Sequence, residues 1–285
     1  MTENEFRQEM HQYIDQKYSL FNDYKQKIYL LLDQFHEFCK KNGLRYFVAY
    51  GSLLGEIRDG GQIPWDYDMD VCMPLNDYQR FKKIFLKDNS NLLLEDNFGN
   101  KKSPFYEARL GFKDAPLNLV HLDIFYCVGL PENIKKEVRF RKRLKKMFIL
   151  KMHKSYLKYK KNDKNRKIYI GRKIYYALEW PFLSLKRIDK IISKLANKFD
   201  YDKASRVIPI NFIDTPYNKQ DIEPISTVLL HGKEMMMPSN PVGILQCCYK
   251  NYQLYLPIDS RFKEFYSWIE EYNSFIGNNE EDYRK

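Results

Sequence analysis

The chain has 285 residues, 44% of them hydrophobic and 30% charged, with 23 Tyr and 19 Phe, so it is long and apolar enough to bury a substantial core and is not a disordered polymer. No stretch approaches the roughly 18 consecutive apolar residues of a spanning helix, and the first residues, MTENEFRQEMHQ, are polar and mixed in charge, so a cytoplasmic protein is expected. The net charge of +11 is concentrated: residues 135–173 hold 18 Lys or Arg against Glu137 and Asp163, a local +16 that leaves −5 for the rest.

In chain order, residues 22–41 predict an amphipathic helix, with Ile28, Leu31, Leu32, Phe35 and Phe38 at helical spacing and Asn42-Gly43 as its stop. Arg45 to Tyr50 reads as a short strand. Gly51 and Ser52 turn it into a short helix, SLLGEI, whose first amides would face an anion. A charged turn, Arg58 to Gly61, and then Ile63, Pro64 and Trp65 lead into a strand over 68–73. A helix follows over Asp77 to Leu86 with Asn76 as cap. Strands are expected at Asn91 to Glu95, Glu107 to Phe112 and Leu119 to Val128.

Glu132 to Lys160 reads as a basic amphipathic helix with Val138, Leu144, Phe148, Met152 and Tyr156 as its apolar stripe. A loop over Asn162 to Lys167 and helices over Ile168 to Leu178 and Ser184 to Phe199 come next. Beyond Ile208 the chain breaks into short Pro-punctuated pieces, with helices over Val242 to Tyr249 and Phe262 to Phe275 and a frayed end. The order predicts an α+β fold, a mixed β-sheet flanked by helices with a basic helical insertion. One domain is expected over 1–285: a catalytic core at 22–130, the insertion at 131–205, and a C-terminal part at 206–285 packed on the core. Five cysteines without metal-ligand spacing are expected to be reduced structural thiols.

The chemistry concentrates in GSLLGEIRDGGQIPWDYDMDV at residues 51–71. Asp68 and Asp70, two apart on a strand, share a face, with Met69 and Val71 on the other. Like charges held so close raise each other's pKa unless a cation lies between them, and Mg²⁺, with Mn²⁺ as the alternative, is the economical occupant. Asp123 in VHLDIF is the candidate third metal ligand, because an ionised side chain inside an apolar strand is costly unless paired or bound to metal; His121 would share its face. Asp66 stands one strand period earlier, as a general base, an orienter of water or a turn cap. Gly51 and Ser52 suit a phosphate site. Arg58 and Arg109 offer planar donor forks to phosphate, or salt bridges to nearby acids. Neither a GxGxxG nor a GxxxxGK[ST] motif occurs, which leaves Rossmann and P-loop nucleotide sites unsupported.

The segment YFVAYGSLLGEIRDGGQIPWDYDMDVCMP resembles the LicD family, which includes the fukutin-type proteins. The resemblance rests on Gly51, Ser52, Leu53, Leu54, Gly55, Arg58, Gly61, Pro64, Trp65, Asp66, Asp68 and Asp70, with CKKNGLRY before and Asp123 in LDIF after. Two departures stand out: Asp59 follows Arg58 where His is usual, and Tyr67 interrupts the acidic run. Pro241, Leu245, Tyr249 and the YLP ending at Pro257 look like the family's C-terminal pattern, with Lys250 in place of Gly.

The resemblance implies a nucleotidyltransferase-like fold and transfer of a substituted phosphate, phosphocholine first, from CDP-choline or another CDP-alcohol to a hydroxyl of a surface glycan or its lipid-linked precursor. Mg²⁺ on Asp68, Asp70 and Asp123 would bridge the pyrophosphate, with Gly51, Ser52, Arg58 and Arg109 at the phosphates. The basic helix would meet an anionic inner membrane leaflet through its cations and Phe148, Ile149 and Leu150, or grip an acidic polymer. Nucleic acid is not the expected partner. The alternatives are a nucleotidyltransferase that acts on RNA or a small molecule and releases pyrophosphate, and a non-catalytic glycan-binding protein.

Overall fold

Tyr24, Ile28, Leu31, Leu32, Phe35 and Cys39 are all buried along one stripe of a 24-residue helix, α1 (Tyr18–Lys41), in the computed structural model. The structure describes residues 2, 4–5, 8–9, 12–13, 18–63, 65–87, 91–97, 106–159, 183–230, 232–249, 251–261, 266–272 and 274. Gly43, at φ 58°, ends α1 in the left-handed conformation, and the Asn42 side chain donates to the Phe38 carbonyl at 2.8 Å.

The strands are β1 (Phe47–Val48), β2 (Met69–Pro74), β3 (Leu92–Asp96), β4 (Glu107–Phe112), β5 (Leu122–Gly129), β6 (Arg206–Pro209) and β7 (Tyr217–Asn218). They form one mixed sheet in the order β1-β2-β5-β4-β3. Only β2 and β5 run parallel. On the edge of β5 away from β2, β4 pairs with the first half of the strand and β6 with the second half, and β7 pairs with β6. A separate hairpin, β8 (Ser226–Leu230) with β9 (Lys233–Met237), lies against α1 and β1.

Between these run α2 (Tyr50–Leu54), continued by a π-helical turn over Gly55–Asp59, then α3 (Leu75–Phe85), α4 (Ile134–Tyr159), α5 (Leu185–Ala196) and α6 (Pro241–Cys248). Helices α1 and α3 meet through Phe35, Phe38 and Phe81, and Tyr78 of α3 lies on Tyr126 of β5. They therefore cover the sheet face that carries Tyr126, and Asp123, Phe125 and Cys127 point to the opposite face. Each fully buried ring in that layer contributes on the order of 2 kcal/mol through burial. A mixed sheet flanked by helices is the expected nucleotidyltransferase-like α+β arrangement.

Several boundaries differ from the sequence reading. Asp68 lies just before β2 rather than in it, β1 is only two residues long, and α3 begins directly at Leu75, with no side-chain bond from its cap. The apolar seam of α4 is Phe140, Leu144, Met147 and Leu150. Partners on other elements set this seam: Phe140 meets Phe199 and Phe148 meets Tyr106. Glu137 and Lys151 are drawn inside by Arg141 and Arg206 and by Asp189. Of the three residues expected at a membrane interface, only Ile149 is open, at 38% exposure; Leu150 is buried and Phe148 packs inward. The loop at 162–167 and the helix at 168–178 fall outside the described residues. No helix among the described residues is long and apolar enough to cross a membrane.

Candidate metal and phosphate site

The site is built where the turn from β1 into α2 meets the start of β2. The Ala49 amide donates to the Asp70 carbonyl at 3.0 Å. Tyr50 then takes φ 44°, costly for a bulky residue, so surrounding contacts must hold it. Its ring packs on Phe125 at 4.8 Å and Phe212 at 4.2 Å. Gly51 donates its amide to Asp70 Oδ2 at 3.3 Å, and a Cβ there would stand 2.6 Å from Asp66 Oδ2. Ser52 Oγ accepts from the Asp70 amide at 2.8 Å and lies 3.4 Å from Met69 Sδ. Gly51 and Ser52 therefore hold Asp70 by its carboxylate and its backbone.

The parallel register places Asp70 beside Asp123 on adjacent strands, both 8% exposed. Asp68, Asp70 and Asp123 each bring a carboxylate oxygen within 4.8 Å of the others, and Asp66 hydrogen-bonds Asp68. On the other side of β5, Arg109 is the cross-strand neighbour of Asp123 and its Nε donates to Asp123 Oδ1 at 3.1 Å. His121 Nε2 is 3.6 Å from the same oxygen, and its buried Nδ1 has no hydrogen-bond partner among the described residues. Burial, then Asp68, Asp66 and Asp123, push the Asp70 carboxyl well above the usual range against the pull of the Gly51 amide. Asp68 is also raised, first by burial and then by Asp123, while Asp66, His121 and Arg109 pull it down.

Four crowded acids with one neighbouring arginine fit a hard divalent cation, which takes carboxylate oxygen and reverses the repulsion. A second group with chelating geometry, His36, Glu37 and Glu234, joins α1 to β9; there Lys40 already contacts Glu234 and supplies the positive charge.

Arg58 lies in the π-helical turn. It forks onto Asp59, with Nε at 3.1 Å and Nη2 at 2.7 Å from Oδ2, and its guanidinium covers Tyr255 at 4.2 Å. Tyr255 donates its hydroxyl to Asp59 at 2.8 Å, and Arg261 lies over Trp65 at 4.7 Å. The C-terminal segment thus closes against the loop that delivers Asp66, and Tyr249 from the same region feels Asp70, Asp66 and Arg58.

All the acids singled out in the sequence converge, with Gly51, Ser52 and Arg109 among them; Arg58 is instead engaged by Asp59 and Tyr255. Sequence reasoning passed over Glu107, which is buried on the Asp123 face opposite Phe125 and raised by burial and then by Asp123. Its signal was the one that exposed Asp123: a lone acid within an apolar strand.

Residues 43–162 match the family model described as LicD/FKTN/FKRP, nucleotidyltransferase domain. The chain is similar to the lipopolysaccharide cholinephosphotransferase LicD of Haemophilus influenzae, 30% identical over 114 residues, which are 37% of this chain and 43% of that protein. It is 34% identical over 82 residues to mannosyltransferase regulator 14 of Saccharomyces cerevisiae, 28% of this chain and 8% of the yeast protein. It is 31% identical over 86 residues to the human ribitol 5-phosphate transferase FKRP, 29% of this chain and 17% of the human one. The chain thus spans less than half the length of these curated relatives.

Proposed function

Residues 43–162 belong to the LicD family and carry a candidate divalent-metal site, and from that premise we propose that this protein transfers a substituted phosphate from a CDP-alcohol to a glycan hydroxyl, releasing CMP. Phosphocholine is the first choice of cargo and ribitol phosphate the second, after the activities in the names of the bacterial and human relatives. The acceptor is a cell-surface glycan or its lipid-linked precursor. The observation that carries the reading is the convergence of Asp68, Asp70 and Asp123 within 4.8 Å beside Arg109.

Asp68, Asp70 and Asp123 would hold Mg²⁺ or Mn²⁺, which supplies charge neutralisation at the pyrophosphate when bound. Gly51 and Ser52 hold Asp70 in place for that cation. Arg109 spends one donor on Asp123 and has others to offer phosphate oxygens. Arg58 reaches phosphate by exchanging Asp59 for it, keeping its place over Tyr255. The acceptor hydroxyl forms the new P–O bond as the opposite P–O bond to CMP breaks, and its proton passes to Asp66 in its ionised form, which requires that Asp66 first give up the proton it shares with Asp68. The protein works in the cytoplasm, in peripheral contact with the anionic inner membrane face through the basic face of α4.

The test is a screen of CDP-choline, CDP-ribitol, CDP-glycerol and CTP with Mg²⁺ or Mn²⁺ and a glycan acceptor, reading CMP and pyrophosphate separately. CMP release from one CDP-alcohol, abolished by chelation and lowered on the order of 100-fold or more in Asp123→Asn, is the expected result. Pyrophosphate release from CTP alone would replace this reading with nucleotidyl transfer. Chelation-insensitive glycan binding with no turnover would replace it with a binding protein.

A further inference from the structure

Phe212 is 41% exposed, yet the chain around it is fastened on both sides. Before it, Asn211 donates to the buried Glu107 at 2.7 Å and accepts from the Tyr106 amide at 3.2 Å. After it, Arg141 of α4 donates to the Ile213 carbonyl at 3.3 Å and Lys145 pairs with Asp214. A surface phenylalanine on a loose loop would need no explanation. This one is held rigid with part of its ring in water.

Its inner contacts fix where the ring stands. It lies on Tyr50 at 4.2 Å and 33°, and edge-on to Phe125 at 5.6 Å. Tyr50 directly precedes Gly51, whose amide binds Asp70, and Phe125 follows Asp123 on the same strand face, about 6.6 Å further along. Phe212 therefore stands one ring contact from Tyr50, the neighbour of Gly51, and one ring contact from Phe125, the next residue on the Asp123 face. Tyr50 and Phe125 are only 7% and 8% exposed, so this cluster offers a single open aromatic ring. Enclosing a quaternary ammonium group calls for several open ring faces. One fixed ring suits a planar base, which stacks through its own π-face.

We propose that Phe212 is the stacking platform for the base of the nucleotide whose phosphate the carboxylate cluster receives. The assignment rests on the CDP-alcohol reading and deepens it: the Tyr50–Phe125–Phe212 group serves the cytidine half of the donor, and the alcohol is selected elsewhere.

The experiment measures binding of CMP, ribose 5-phosphate and choline to the full chain with Mn²⁺, by calorimetry, in wild type, Phe212→Ala and Phe212→Trp. Circular dichroism melts check that both variants stay folded. The expected result is CMP affinity reduced about 10-fold or more in Phe212→Ala and kept within about threefold in Phe212→Trp, with ribose 5-phosphate unaffected. Equal CMP binding by wild type and Phe212→Ala overturns the platform and leaves the transfer reading standing, as does wild type binding CMP no better than ribose 5-phosphate. Loss of choline binding with CMP binding intact overturns it in favour of a cargo site. Failure of wild type to bind either phosphate overturns both.

Discussion

Asp70 is the residue on which stability and chemistry conflict. Its folded carboxyl holds a proton that the unfolded chain gives up near pH 4, because burial and then Asp68, Asp66 and Asp123 disfavour the charge. The folded state therefore binds more protons than the unfolded state above that pH, and without metal the site's contribution to stability falls as pH rises through the window up to the raised folded value. Asp70→Asn, of the same shape and neutral, removes the conflict. In chelator the variant is expected to melt higher than wild type, with a gap that widens as pH rises above about 4, where the unfolded carboxyl ionises and the folded one resists ionisation. Mg²⁺ or Mn²⁺ then lifts the wild-type melting temperature more than the variant's. A variant that melts lower than wild type at pH 7 in chelator would show that Asp70 is already compensated by the protein. The acids behind this prediction were legible in sequence, because a strand's alternation and an acid inside VHLDIF are local signals. What holds Arg58 was not: Tyr255 lies almost two hundred residues further along, and only the folded C-terminal segment brings it onto Asp59.

At the level of the element, the loop between α2 and β2 delivers Asp66, and it closes on a glycine. A Cβ on Gly55 would lie 2.5 Å from the Gly61 carbonyl oxygen and 2.9 Å from the Ile63 amide, both backbone atoms that cannot rotate away. Ile63 in turn accepts from the Asp66 amide at 3.0 Å, so the push is passed to the acid. Gly55→Ala should cost about 1–3 kcal/mol in thermal or denaturant unfolding and reduce turnover well beyond any change in the donor's KM. Unchanged melting and unchanged turnover would mean the loop has slack that the close contacts deny. The elements with strong period, α1, α3, β4 and α4, were read within a few residues. The C-terminal strands were not: β6 to β9 are two to five residues long and broken by proline, so periodicity has too few positions to register. Their order comes from pairing with β5 and with each other, a non-local cause.

At the level of the molecule, the charge read from composition acquires a face. Lys135, Lys136, Arg139, Lys142 and Arg143 lie on the exposed side of α4 and have no ion-pair partner among the described residues. Arg141 and Lys145 are turned to Glu137 and Asp214. With Leu150 buried and Phe148 inward, Ile149 contributes little apolar insertion, so attraction to a membrane would be mainly electrostatic. Each such cation near an anionic bilayer contributes about 1 kcal/mol. Full-length protein should therefore be retained by phosphatidylserine-rich vesicles at low salt, released by about 0.5 M salt, and not retained by neutral vesicles. Changing the five cations to Gln should cut retention at least about 100-fold while melting temperature and transfer to a soluble acceptor stay the same. Equal retention of the variant would remove the membrane from this reading, and retention lost together with transfer to an acidic polymer would instead make the same face a grip for the acceptor.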